Sequence, residues 1–171
     1  MSVEIEKKNG VVFLSLSAAE TYPVFKETRN GRMVSFGAAN DYPNFLQRLF
    51  DSSTKHGSII KRKTTYIVGN GWAKKESTED PLADAFIAKV NRHGESLNNI
   101  LQKCGLDLEI FGGFYVQVIY TNFTGRIAEL YHIDYTMMRS NPDNTQFLYR
   151  QNWRIGQRLP DKYYPAFNPA N

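Results

Sequence analysis

With 171 residues, 42 % of them hydrophobic and 13 % aromatic, the chain has enough apolar surface for a folded core and too much for a disordered tail. A net charge of +4, spread along the sequence, permits contact with nucleic acid without demanding it, and the single cysteine, Cys104, excludes an internal disulfide and a cysteine-rich zinc site. No charged segment followed by an apolar run opens the chain and no run of about 18 apolar residues occurs, so the sequence reads as soluble and unsecreted.

Residues 1–10 are polar and charged, and Val11 to Leu14 form a short apolar run expected to be an edge strand or an arm. Val24–Thr28 and Met33–Phe36 flank Arg29-Asn30-Gly31-Arg32, and Asn-Gly between strand-like runs marks a hairpin because both residues accept positive φ. The next segment predicts one long helix over 42–68. Asp41 is placed to cap it and Pro43 suits its first turn. Phe45, Leu46, Leu49, Phe50, Ile59, Ile60, Tyr66 and Ile67 recur at helical spacing, Ser53, His56 and Gly57 continue the stripe, and Gly69-Asn70-Gly71 stops it. Its C-terminal half carries Lys55, Lys61, Arg62 and Lys63, which complement that end of the helix dipole. A solvated basic face is the simpler reading of these four, since basic residues alone specify no ligand.

Residues 73–79 read as an exposed loop. Asp80-Pro81 opens a second helix, 81–92, and Ser96 caps a third, 96–110, in which Cys104 reads as a small core residue and Gly105 as a mild defect. After Gly112-Gly113 the period changes to two. Phe114–Thr121 and Arg126–Ile133 predict a hairpin with Ile127, Leu130 and Ile133 inward; Met137–Ser140 and Gln146–Trp153 complete an antiparallel β meander over 113–153. Residues 155–171 hold three prolines and no period, and read as an extended or disordered tail. The layout is α+β: a long helix and a helix pair packed on a small antiparallel β meander, with an arm and hairpin in 1–39 and the main body in 40–154.

Catalytic motifs are sparse. Neither a P-loop nor a dinucleotide fingerprint is present, and His56, His93 and His132 lack metal-ligand spacing. In His132-Ile133-Asp134 an acid/base pair is conceivable only if a pocket joins the two side chains, and a structural role is the commoner one. Tyr149-Arg150 and Trp153-Arg154 would stack on bases if exposed, while strand alternation favours core packing of Phe147, Tyr149 and Trp153. No catalytic, cofactor or metal residue is nominated, and the chain is expected not to be an enzyme.

The string FGAANDYPNFLQRLFDSSTKHGSIIKRKTTYIVGNGW resembles a segment of tailed-bacteriophage portal proteins: an aromatic-Gly-x-x-Asn start, Tyr-Pro, a Leu-rich helix, a central Ser, a His, an Ile-Ile-Lys-x-Lys run and Gly-x-Gly. LDLEIFGGFYVQVIYTNFTGRIAELYHIDYTMMRSNP resembles the portal block in which a helix leads into a strand, a turn with Gly, a returning strand and a Met-Arg strand. Together they cover residues 36–142. The resemblance implies the N-terminal wing portion of a portal subunit, whose family continues through stem helices, a clip and a crown. It implies a structural subunit of a dodecameric ring at one capsid vertex, the channel for DNA packaging and ejection, without cofactor and hydrolysing nothing itself. Implied partners are further copies of the chain, terminase, capsid and tail-adaptor proteins and double-stranded DNA, with no membrane; the implied place is the virion, and the host cytoplasm during assembly. Lys55, Lys61, Arg62 and Lys63 would then contact DNA or a neighbour's acidic surface. The portal reading requires residues 40–68 to form a single long helix, and it expects open strand edges and a monomer or weak, non-closing oligomer for this chain alone. The alternative is a stand-alone nucleic-acid-binding α+β module using Tyr149, Trp153 and the basic helix end.

Overall fold

The computed structural model describes residues 2–8, 11–17, 25–29, 32–73, 79–121, 125–153 and 162–167. Ser2–Lys8 (β1) pairs antiparallel with Val11–Ser17 (β2), from Ser2↔Ser17 to Lys8↔Val11. The polar opening stretch is thus a strand, its alternation of Val3 and Ile5 with Glu4 and Glu6 having been masked by charge. Glu27–Thr28 (β3) and Ser35–Phe36 (β4) form the expected hairpin, in register Glu27↔Phe36; its Asn30-Gly31 turn lies outside the described residues.

Residues 42–68 are two helices, not one: Tyr42–Ser52 (α1) and Thr54–Val68 (α2). Ser53 between them is extended, with φ −103° and ψ 97°, and its Oγ accepts from the His56 N–H at 3.4 Å as the cap of α2. The cause is local. Asp51-Ser52-Ser53-Thr54 is a run of side chains that compete for backbone partners, and the Ser52 hydroxyl donates to the Leu49 carbonyl at 3.2 Å. After the break Gly57 sits against Phe50, where a Cβ would stand 3.0 Å from the Phe50 carbonyl oxygen. Asp41 precedes α1 without a side-chain cap, whereas the glycine stop behaves as expected, with Gly69 and Gly71 at φ +57° and +79°.

Pro81–Ala88 (α3) is shorter than expected and starts at Asp80, whose Oδ1 accepts from the Leu82 and Ala83 amides at 3.0 and 3.1 Å. Leu97–Phe111 (α4) starts at Ser96. Gly105 is not a defect: a Cβ there would lie 2.7 Å from Val68 Cγ2 and 3.2 Å from Thr64 Cγ2, so its missing side chain is what lets α4 lie on α2. The other face of α4 builds the main apolar core from Ile100 and Cys104 with Val90, packed against Phe86, Leu97, Val116 and Leu130.

The four strands of the expected meander do not form one sheet. Tyr115–Tyr120 (β5) and Ile127–Ile133 (β6) make a hairpin; Met138–Ser140 (β7), Gln146–Tyr149 (β8) and Lys162–Pro165 (β9) make a separate antiparallel sheet in that order. A 3₁₀ turn over Tyr135–Met137 separates them, and β8 stops four residues short of Trp153. The tail assigned from its prolines thus contributes a strand. The inward set on β6 also needs correction. Leu130 faces the α4 core and Ile133, of opposite parity, lines a groove between the two sheets; Ile127 is exposed beyond a bulge that leaves Ala128 without an opposite residue. An aromatic ladder joins the parts: Phe111 stacks on Tyr135 at 4.7 Å, Tyr135 lies 5.1 Å from Tyr115, and Tyr115 lies 5.6 Å from Phe147.

Candidate functional site

Segments 36–72 and 106–142 meet at Arg139, which is 0 % exposed. Asn40 adopts φ +54°, a left-handed conformation that asparagine tolerates better than most residues, and so turns both of its carbonyls toward the guanidinium. Arg139 Nη2 donates to the Asn40 backbone oxygen at 2.9 Å and Nε to Asn40 Oδ1 at 2.8 Å. Nη1 donates to the carbonyls of Thr136 (3.1 Å) and Met138 (2.7 Å). Asn40 Oδ1 also accepts from the Phe36 amide at 3.0 Å, and the rings of Phe36 and Trp153 flank the cation at 5.6 and 5.0 Å. No carboxylate faces it among the described residues. Burial pulls the Arg139 pKa down to about 10, with Tyr115 and Tyr135 acting the other way, so it stays charged at neutral pH. Four fixed acceptors make this a structural clamp between segments 99 residues apart rather than a ligand site.

The conceivable acid/base pair is not assembled. His132 Nε2 lies 2.7 Å from Asp107 Oδ2 on α4, while Asp134 Oδ1 accepts from the Thr136 amide (2.8 Å) and hydroxyl (2.7 Å) to cap the 3₁₀ turn. The groove between the sheets, about 660 Å³, is lined mainly by apolar residues such as Phe114, Val118, Ile133 and Met138, and neither His132 nor Asp134 reaches it. Trp153, 5 % exposed, is held between Arg139 and Arg150, and the Tyr149 hydroxyl lies 3.3 Å from Met137 sulfur, so the aromatic–basic pairs pack inward.

The four basic residues of α2 separate into two kinds. Lys63 pairs with Glu109 on α4, and the Lys61 ammonium sits 5.6 Å over the Phe50 ring. Lys55 and Arg62 are exposed and have no ion-pair partner among the described residues. They share the face opposite the buried line Gly57, Ile60 and Thr64, with Ile59 and Tyr66 beside them at 58 and 88 % exposure. The sequence stripe had placed Ile59, Tyr66 and Ile67 inward. The spacing signal missed α3 as well: PLADAFIA is mostly apolar, yet none of its residues is fully buried and Leu82 is 74 % exposed. No membrane-length apolar helix occurs among the described residues. No family model, curated protein or solved structure matches the chain.

Proposed function

We propose that the chain is a structural subunit of a portal-type ring, supplying wing elements that pack between neighbouring copies around a DNA channel. The break at Ser53 fails the condition that the sequence resemblance set, a single long helix over 40–68, so the proposal rests on the exposed surface and not on that helix. The observation that carries the reading is the distribution of apolar side chains. Among the described residues, more large hydrophobic side chains are exposed than are buried, and they lie on separate elements: Ile59, Tyr66 and Ile67 on α2, Leu82 on α3, Ile127 on β6 and Tyr163 on β9. On α2, Ile59 and Tyr66 stand exposed beside Lys55 and Arg62, and a ring subunit would cover such side chains with its neighbours. Among the described residues β5 has β6 as its only strand partner, which leaves its outer edge for a neighbour, whereas the outer edge of β6 is covered at Leu130, whose N–H donates to the Val90 carbonyl at 2.9 Å and whose carbonyl accepts from Asn91 Nδ2 at 3.0 Å.

Two blocks of portal-like sequence converging on one clamp, Asn40 and Arg139, supports their belonging to one module. The competing stand-alone nucleic-acid module loses its stacking platform, because Trp153 is buried. Electron-microscopic imaging of the concentrated protein tests the reading. The exposed apolar side chains change the expectation for this chain from a monomer or weak oligomer to association: rings, arcs or open filaments with one repeating contact are expected, and particles built only from two-fold dimers, or isolated single chains at every concentration, would contradict the proposal.

A further inference from the structure

We propose that the open edge of β5 takes the β2 strand of a second copy of this chain, which enters the groove between the two sheets and pairs with the Val116 and Val118 backbone. The proposal rests on the ring reading above and names a contact through which copies would join. In an antiparallel hairpin alternate residue pairs exchange backbone hydrogen bonds, and the pairs between them turn those groups outward. Leu130 is an outward residue, since its N–H and carbonyl meet Val90 and Asn91 Nδ2 beyond β6. Val118 lies opposite it, so Val118, and Val116 two residues before, turn their N–H and carbonyl groups away from β6. No other strand among the described residues pairs with that edge. The groove runs along it. Tyr115 and Gln117 of one parity and Val116 and Val118 of the other all line it, which a sheet face alone would not supply, and Phe147 and Tyr164 line it from β8 and β9.

A row of unpaired backbone groups beside apolar side chains fits an extended strand, whose backbone supplies the hydrogen bonds while the groove takes alternate side chains. A helix or a lipid chain would leave the Val116 and Val118 groups without partners. The ladder is built on β5 and not on β9: the Ala166 N–H bonds inward to Thr145, so Pro165 faces the free edge of β9 and has no N–H to offer there. None of the described residues that line the groove is charged. β2 matches it, with seven residues and no charge, whereas its partner β1 carries Glu4, Glu6, Lys7 and Lys8. Among the described residues β2 pairs with β1 along one edge only, which leaves the other for β5. A two-stranded hairpin alone is marginal in water, and its addition here makes a four-stranded sheet β1–β2–β5–β6. Within one chain β2 is not the strand on β5, which assigns the occupant to another copy.

The test is cross-linking of the full chain with a bis-maleimide, for which the one native thiol, Cys104, is buried. Ser15→Cys and Gln117→Cys proteins are prepared separately and mixed. A cross-linked dimer is expected in the mixture, well above what either protein gives alone. Its yield should fall roughly fivefold or more when Phe13→Lys and Leu14→Lys, successive residues and so one on each face of the strand, are added to the Ser15→Cys protein. A second measurement needs no substitution: exchange of the Val116 and Val118 amides in the unaltered chain should slow roughly tenfold or more as its concentration is raised. Gln117→Cys cross-linking to itself as well as the mixture does would assign the edge to a second β5. A chain carrying both cysteines that closes on itself at high dilution, at the mass of one chain, would assign it to its own arm. Either result overturns the proposal, as does insensitivity to the added lysines or to concentration. Light scattering on the same samples separates this contact from the ring reading. A mixed cross-link with a mass that stops at two chains upholds the contact and contradicts the ring; growth without the mixed cross-link defeats the contact and leaves the ring; neither defeats both.

Discussion

Removing the Asn40–Arg139 clamp should cost the protein a large share of its stability, and the two side chains should be strongly coupled. In Arg139→Met the guanidinium and its four hydrogen bonds are lost, leaving the Thr136 and Met138 carbonyls and the Asn40 backbone oxygen without that donor. Bonds to a charged group contribute about 1.5–3 kcal/mol each but are not additive, and eliminating a buried charge returns part of the loss, so a net destabilisation of about 2–4 kcal/mol is expected. Asn40→Ala loses Oδ1 as acceptor for Arg139 and for the Phe36 amide, and keeps a β-carbon at positive φ without the polar side chain that makes asparagine tolerant there, for a similar total of about 2–4 kcal/mol. Asn40→Gly keeps the backbone contact and relieves the strain, so it should be milder than Asn40→Ala by about 1 kcal/mol. Once Arg139 is gone the side chain of Asn40 has lost its main role, and the double variant should fall short of the sum of the singles by about 1–3 kcal/mol. Urea unfolding at neutral pH, followed through the fluorescence of buried Trp153, gives all four corners of the cycle. Additivity within about 0.5 kcal/mol would refute the clamp.

Gly105→Ala should destabilise by about 1–2 kcal/mol although alanine is the better helix former, because the new Cβ meets Val68 Cγ2; Val68→Ala in the same chain should reverse the sign, and thermal melts of the pair check it. Ser53→Ala should cost about 1 kcal/mol by removing the cap of α2, measured by urea unfolding, and a gain in stability would show that the chain prefers one continuous helix there. Alkaline titration should weaken the fold. Burial, with a further push from Tyr135, raises the Tyr115 phenol, and burial also raises the less deeply placed Tyr135, so the native state keeps protons that the unfolded chain releases above about pH 10. Stability then falls as pH rises past about 10, by up to about 1.4 kcal/mol per pH unit from Tyr115. Arg139 opposes this above about pH 10, where the native guanidinium has given up a proton that the unfolded chain still binds. Tyr115→Phe should make the alkaline fall shallower in denaturation followed at fixed pH values, and an unchanged slope would count against the buried phenol.

The α+β class, the hairpin flanking Asn30-Gly31, the caps at Asp80 and Ser96 and the glycine stop after α2 were legible because each rests on residues adjacent in sequence. The break at Ser53 was hidden by spacing: Phe50, Gly57, Ile60 and Thr64 keep a helical period across it, and only the Asp-Ser-Ser-Thr run signals that the backbone has other partners. Prolines concealed β9, although Pro165 sits at the strand's end, where a missing N–H is tolerated. Gly105 was misjudged because helix propensity counts only the helix itself and not the neighbour that approaches it. Arg139 could not be singled out at all, since its acceptor Asn40 is remote in sequence and no carboxylate pattern announces the pairing. The basic residues of α2 looked alike as letters; Lys61 and Lys63 were separated from Lys55 and Arg62 only by Phe50 and Glu109 arriving beside them.

Self-association is the central claim, and the weight-average mass from light scattering, measured over a wide concentration range, tests it most directly. The account predicts a mass that starts at the 19.6 kDa of one chain and grows past twice that value with concentration without stopping at a dimer. A mass fixed at one chain throughout, or a plateau at two, would contradict it.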